Sequence, residues 1–386
     1  MTRKTSRKQA EPVERVPVGE LGNEALTALL NGAAAWTPGE KLYGLKVGGR
    51  RGFVGASGEL IIAPSPMGED EHEVELFGFA EGLMILEVFG RRGILDIATR
   101  EVIPPIFKDA DLSGFSEGAW AVQHEGAWGF IDRDGRWLVA PRYSEVKKFS
   151  DGLAAVCERG KWGFVDRQGE LVIRPRFNSA GQFGEGLCPC QEGEGYGFID
   201  RDGAWVVEPR YRFAGEFAEG RGMIMVESLS GFVDASGSEV IAPRHKWATA
   251  FREGLSKTED PRKPEKKKKA PDVFYETRYG YIDAAGDMVL ELPAGDYPYI
   301  FTRGLAAVGR PGPDGGERRW GFVDRSGATA IPFEYEEACV FDEVGYAYVR
   351  TAEGWQVIDE RGEYLARVVV EDGTARLLGR GGQLWP

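Results

Sequence analysis

In the middle of the chain, short apolar runs alternate with turn residues at a fixed interval. Residues 153–157 (LAAVC) are apolar, and 158–161 (ERGK) carry a glycine turn. Residues 162–166 (WGFVD) are aromatic and β-branched, as suits a strand. Residues 166–169 (DRQG) place Asp first and Gly fourth, the preference of a tight turn. A third apolar run, 171–173 (LVI), ends at Pro175, which has no N–H to give a ladder. The pattern predicts three short strands joined by two turns, a β-meander. Phe164 and Val165 are adjacent and both apolar, so both faces of the strand need cover. No recurring helix pattern supplies it, which leaves neighbouring units, because one such unit is too small to stand alone.

The unit repeats. Clear copies of the central strand are WGFID (128–132), WGFVD (162–166), YGFID (196–200), SGFVD (230–234), YGYID (279–283) and WGFVD (320–324). Degenerate copies are RGFVG (51–55), RGILD (92–96) and WQVID (355–359). Their second positions step by 41, 36, 34, 34, 34, 49, 41 and 35 residues, which makes nine units of roughly 34–41 residues apart from one insertion. A Phe-x-acid-Gly element precedes most copies, as at Phe79, Phe115, Phe149, Phe183, Phe217 and Phe251, and Phe301 keeps its shape with Arg303 in place of the acid. A Pro-Arg pair follows the central copies at 141–142, 175–176, 209–210 and 243–244. Between repeats, Tyr143, Val146 and Phe149 and their equivalents fall three residues apart. That spacing fits a helical turn better than a strand, with an irregular fourth edge strand as the alternative.

These landmarks together resemble the bacterial WG-repeat family, also called KWG repeats, over roughly residues 41–365. The family is known mostly as repeat arrays without an assigned chemistry, so the resemblance speaks to architecture more than to activity. The expected fold is an all-β repeat array stacked as an open superhelix of β-meanders. A closed β-propeller-like ring is the alternative: 34 residues is small for a blade, and nine blades exceed the usual 4–8. Residues 1–18 are polar and expected to be disordered. Residues 19–40, with Leu21, Leu26, Leu29 and Leu30 at near-helical spacing, are expected to form a short capping helix. Residues 256–276 read as a basic flexible insertion loop and 366–386 as a degenerate C-terminal cap.

Composition adjusts this picture in two places. Glycine, at 54 of 386 residues, is about twice its usual share, and the repeated turns account for much of the excess. The net charge of −13 argues against an overall nucleic-acid or anionic-membrane binder. Residues 262–269 run the other way, with six basic residues against Glu265. No run approaches the length of a membrane span and no apolar stretch follows the basic N-terminus, so a cytoplasmic protein is expected.

The chemistry candidates weaken one by one. Asp132-Arg-Asp134-Gly135 and Asp200-Arg-Asp202-Gly203 hint at calcium loops, but the twelfth position is Tyr143 or Tyr211, and a turn reading fits better. Cys157, Cys188 and Cys190 fall at apolar strand positions and read as core packing. His72, His124 and His245 are scattered over different units and support neither a metal site nor a catalytic triad. The glycine pairs at 48–49 and 315–316 are turns. No cofactor and no enzymatic activity is expected.

Two candidates survive. Arg142, Arg176, Arg210 and Arg244 occupy equivalent places, and in a stack would form a stripe for acidic groups or a structural ladder paired with the acids of the Phe-x-Glu-Gly element. Lys266, Lys267, Lys268 and Lys269 would make a basic docking loop or simply a solvated one. The expected function is a non-enzymatic scaffold for protein–protein interaction, its partner favoured by a basic face. The alternatives are an inhibitor or immunity-type antagonist of a toxin or enzyme, and an enzyme with its site in a central cavity. The sequence leaves oligomeric state open.

Overall fold

The computed structural model describes residues 12–21, 41–47, 50–62, 74–259, 278–312, 316–371 and 374–385. The chain divides into two compact units, Met1–Leu42 with Ile61–Gln182, and Tyr43–Leu60 with Phe183–Pro386. The described residues form nine small antiparallel sheets and no α-helix. We number these blades in chain order: 42–62, 74–107, 109–143, 145–177, 179–211, 213–245, 256–291, 297–335 and 337–385.

The fourth blade shows the plan. Glu145–Val146 is a two-residue edge, followed by Leu153–Glu158, Lys161–Asp166 and Leu171–Phe177 in sheet order. The segment with the spacing of three is thus a fourth edge strand, not a helical turn: Val146 pairs with Val156, and Ala214 and Ala338 pair likewise with Ile224 and Val349. The DRQG stretch is the expected turn, with Asp166 Oδ1 accepting the N–H groups of Gln168 at 3.0 Å and Glu170 at 2.9 Å. Phe164 and Val165 are both buried, one on each face.

Successive blades meet through aromatic pairs. Phe149 packs on Phe130 of the preceding central strand (4.8 Å between ring centres), Phe251 on Phe232 (4.8 Å) and Phe301 on Tyr281 (4.6 Å), and Phe341, at the same place in the last repeat, on Phe322 (4.8 Å). The acid–Gly pair behind each Phe is a two-residue hairpin turn with positive φ at both residues, as at Glu117 (53°) and Gly118 (70°). Asn and Asp are the usual first residues of such turns. A Glu side chain is longer and reaches the next turn. Glu81 Oε1 accepts from the Gly118 N–H (3.1 Å), Glu117 Oε2 from Gly152 (2.9 Å), Glu185 Oε2 from Gly220 (2.7 Å), Glu219 Oε2 from Gly254 (2.8 Å) and Glu253 Oε2 from Gly304 (2.9 Å). At these five joints one repeat clasps the turn of its successor with a charge-assisted hydrogen bond.

An open array keeps its first and last sheets apart. Here, within the second unit, the first and ninth blades share one buried cluster of Tyr43, Leu45, Val54, Val357, Leu365, Val368 and Leu377. Tyr43 donates its phenol to Asp342 at 2.9 Å, and Tyr346 donates to the Ala56 carbonyl at 3.0 Å. Burial and the Asp342 carboxylate push the Tyr43 pKa well above its ordinary value, so the phenol stays protonated. Blades that meet in this way belong to the β-propeller-like alternative, which replaces the open superhelix as the reading of these repeats.

The flanks also differ from expectation. Residues 12–21, inside the segment expected to be disordered or helical, lie against the first unit. Val16–Pro17 adds a strand to the edge of the second blade, opposite Val102 and Glu101. Arg15 sits between Asp96 (3.1 Å) and Glu101 (3.5 Å), and the Val13 N–H donates to the Gly135 carbonyl at 2.9 Å. Those carboxylates and the free sheet edge are why this polar stretch is held. Val18–Leu21 is one 3-10 turn, and residues 22–40 of the expected capping helix lie outside the described residues. The expected cap at 366–386 is a continuation of the ninth blade, which has six strands.

Candidate functional site

The Trp-Gly and Pro-Arg landmarks are two halves of one device. In the fourth blade Trp162 faces Phe177 and Phe164 faces Ile173, so four steps on one strand match two on the other. Arg174, Pro175 and Arg176 bulge out over Gly163. A Cβ built on Gly163 would lie 2.4 Å from the Ile173 carbonyl oxygen and 2.6 Å from the Pro175 nitrogen. The same collision awaits at Gly129, Gly197 and Gly231, with Val139, Val207 and Ile241 supplying the oxygen at 2.5, 2.1 and 2.5 Å. Only glycine admits the bulge, and the bulge carries the arginine on its crest.

Arg142, Arg176, Arg210 and Arg244 are therefore presented alike, and all four are exposed. Three lie over the ring of the next residue, at 4.8 Å on Tyr143, 4.6 Å on Phe177 and 5.0 Å on Tyr211. Arg142 and Arg210 donate to that neighbour's phenol oxygen at 2.6 and 2.9 Å. Arg244 donates to His245 Nε2 (3.3 Å) and the Gly286 carbonyl (2.8 Å), with Asp287 at 3.6 Å. Burial and the Arg244 charge hold His245 below the ordinary histidine pKa, so its ring is neutral and accepts. Glu117, Glu185, Glu219 and Glu253 of the Phe-x-Glu-Gly element hold the next turn's N–H groups, a different role from the arginine partners that the ladder reading assigns them. For Glu253, burial alone would raise the pKa, but the Gly304 N–H, Arg325 and the Arg303 N–H outweigh it and hold the carboxylate charged.

Beside Arg210 opens a shallow cleft of ≈ 450 Å³, lined by Glu194, Gly195, Pro209, Arg210, Tyr211, Arg212, Val226 and Glu227. Arg212 donates to the Glu227 carbonyl at 3.2 Å. Apart from Pro209, Arg210 and Tyr211, these residues come from turns and strand ends with no shared repeat motif. Their convergence is a product of the fold, and no spacing in the sequence announces it.

The other candidates resolve as packing or turns. Cys157, Cys188 and Cys190 are buried in strands, with Cys188 and Cys190 sulfurs 3.9 Å apart. Asp132 and Asp200 spend Oδ1 on backbone N–H groups of their own turns. Among the described residues no group of three or more His, Cys, Asp or Glu is placed to hold a metal ion. No helix among them is long and apolar enough to cross a membrane. Lys266, Lys267, Lys268 and Lys269 lie outside the described residues.

The family model for the WG containing repeat matches this chain five times, at residues 128–162, 162–194, 196–229, 231–258 and 320–355. The chain is a WG-repeat protein. All five matches fall on repeats that carry the glycine and the bulge, which the second blade also has at Gly93. No curated protein matches this WG-repeat chain. Among solved structures it is similar to a eukaryotic initiation factor, with a TM-score of 0.57 at 9% identity, covering 91% of this chain and 98% of that one. At that identity the likeness concerns the fold alone. It is also similar to the dihydro-heme d1 dehydrogenase NirN (TM-score 0.43, 12% identity, 86% and 81% covered) and to Hsv2 of Kluyveromyces lactis (TM-score 0.37, 7% identity, 82% and 97% covered).

Proposed function

We propose that this WG-repeat protein is a non-enzymatic scaffold that binds another protein through its arginine-crested bulges. The observation that carries the reading is the presentation of Arg142 and Arg176 in one unit, and of Arg210 and Arg244 in the other, all exposed on the crest of the same bulge, three of them over the neighbouring ring. Planar guanidiniums already stacked on rings lose little freedom on meeting a carboxylate. The glutamates of the repeated element carry a separate task, holding the next turn's N–H groups. The net charge of −13 over the whole chain supports a partner that also offers a basic face.

The test is a partner captured with the tagged full chain, identified by mass spectrometry and titrated against purified variants. The quadruple replacement R142A/R176A/R210A/R244A is expected to weaken binding at least about tenfold, in line with loss of several charge-assisted contacts. Its melting temperature should stay close to that of the parent. Unchanged affinity in the quadruple variant removes the arginine stripe from the reading.

A further inference from the structure

Four residues before the buried Phe of each Phe-x-acid-Gly element lies the start of the blade's edge. In the fourth, fifth and ninth blades that position holds Glu145, Ser179 and Glu337. In the sixth and eighth blades it holds Phe213 and Tyr297, and in the stretch that leads into the seventh it holds Trp247, exposed by 41%, 39% and 69%. Scattered exposed hydrophobics are ordinary, but three at one homologous position in successive repeats are not. All three lie in the second unit, each at a seam with the blade before it. Phe213 meets Tyr196 with ring centres 5.5 Å apart, and Tyr297 meets Tyr279 at 5.4 Å. At the middle seam the corresponding ring is replaced by Ser230, whose hydroxyl accepts the Ala248 N–H at 3.3 Å. Trp247 is correspondingly the most exposed of the three, and its φ of 50° puts a bulky residue in the left-handed region. Among the described residues none of the homologous edge positions shares that conformation.

Two of these rings follow a cation in sequence, Arg212 before Phe213 and Lys246 before Trp247. Tyr297 follows Asp296, and the Lys257 ammonium and the Arg318 guanidinium lie 5.3 and 5.9 Å from its ring centre. Arg212 donates to the Glu227 carbonyl and Arg318 to the Gly295 carbonyl (2.9 Å), acceptors that carry no formal charge. In the ninth blade the same two places read Glu336-Glu337. The ≈ 450 Å³ cleft, with Glu194 and Glu227 opposite Arg210, adjoins the Phe213 end.

We propose that Phe213, Trp247 and Tyr297, with Arg212, Lys246 and Arg318, form a docking strip for an extended acidic segment of a partner protein. Three seams in succession suit an elongated occupant. Rings take its apolar side chains and the flanking cations its carboxylates, the aromatic and arginine chemistry that concentrates binding energy at interfaces. Arg212, Lys246 and Arg318 are the points along the strip at which carboxylates would be drawn in. This strip rests on the scaffold reading but not on the arginine stripe.

The test uses a displayed library of random 16-residue peptides selected on the immobilised full chain, with the oligonucleotide dT20 as a competing probe. Selected peptides should be rich in Asp and Glu interspersed with apolar residues. Their affinity should fall at least tenfold in the F213S/W247S/Y297S variant, whose serines follow the residue the fifth blade carries at this place. W247S alone should fall by less and guards against a folding defect in the triple variant. Basic or neutral selected peptides, or displacement of the acidic ones by dT20, overturn the proposal. Binding that is unaffected by the serine variants also overturns it while leaving the scaffold reading intact. If no peptide is enriched at all, both fail.

Discussion

The fourth and ninth blades solve the same problem in opposite ways. The fourth has Gly163 in its central strand and a two-residue bulge through Pro175 opposite it. The ninth has Gln356 at that place, no proline opposite, and a nearly regular ladder of Gln356 to Arg367 and Val357 to Ala366. Gln356 is buried and donates to Thr351 Oγ1 at 3.2 Å. Without the bulge the last strand continues as Tyr364–Glu371 and pairs with Thr374–Gly379, which pairs in turn with Leu384–Trp385. A proline bulge at an edge is a stop to further pairing. In the third to sixth blades the bulge is kept, the sheet ends there, and an arginine stands on its crest. Where it is dropped, the sheet grows, and the added strands contribute Val368 and Leu377 to the joint with the first blade.

The sharpest way to break this comparison is at the glycine. Gly163→Ala places a methyl 2.4 Å from a carbonyl oxygen and 2.6 Å from a proline nitrogen, both backbone atoms that move only if the bulge does. A loss of about 3 kcal/mol is expected, at the upper end of overpacking changes. Gln356→Gly, the reverse exchange, meets no bulge and should cost under about 1 kcal/mol beyond its lost hydrogen bond. Urea midpoints of the two variants decide it, and equal shifts would mean that glycine and bulge are not coupled.

Next in size is the growth of the ninth blade. Leu377 is fully buried among Tyr43, Val54 and Leu365. Leu377→Ala should cost about 2 kcal/mol, the lower end for buried leucine truncations. Because the cluster is shared with the first blade, protection of the Leu42–Val47 amides from hydrogen exchange should fall together with that of Thr374–Gly379. If only the latter lose protection, the added strands are a local ornament and not the joint.

Much of this was legible from repetition, because a repeated residue betrays a repeated constraint. The absence of a side chain at Gly163 already implied close backbone approach, and Asp166 already implied a turn. What repetition hides is the partner of each constraint. Glu117 and Arg176 recur with the same period, so sequence alone invites pairing them, although one reaches forward to Gly152 and the other lies back on Phe177. Propeller-like closure was illegible for a related reason. It depends on Tyr43 and Leu377, in the two least regular repeats, where the period is weakest. Residues 12–21 read as a polar tail because their order comes from Asp96 and Glu101, some eighty residues away.

The smallest expected effect tests whether the bulge tolerates a titrating group. In the sixth blade the bulge closes on His245 facing Ser230, where the fourth has Phe177 facing Trp162. His245 is buried, and burial followed by the Arg244 charge lowers its pKa. A lowered value means the fold prefers the neutral ring, whereas the unfolded chain takes up a proton below about pH 6.5. The stabilising share is therefore complete above about 6.5 and is lost as pH falls toward the folded-state value. His245→Phe removes this dependence and restores the aromatic of the fourth blade, while the carboxylates titrate alike in both proteins and cancel in the difference. Melting temperatures at pH 7.5, 6.5 and 5.5 should show the parent dropping more steeply than the variant between the last two. Parallel profiles would mean that His245 opens to solvent at the bulge, and that the ring at this position is not what seals the device.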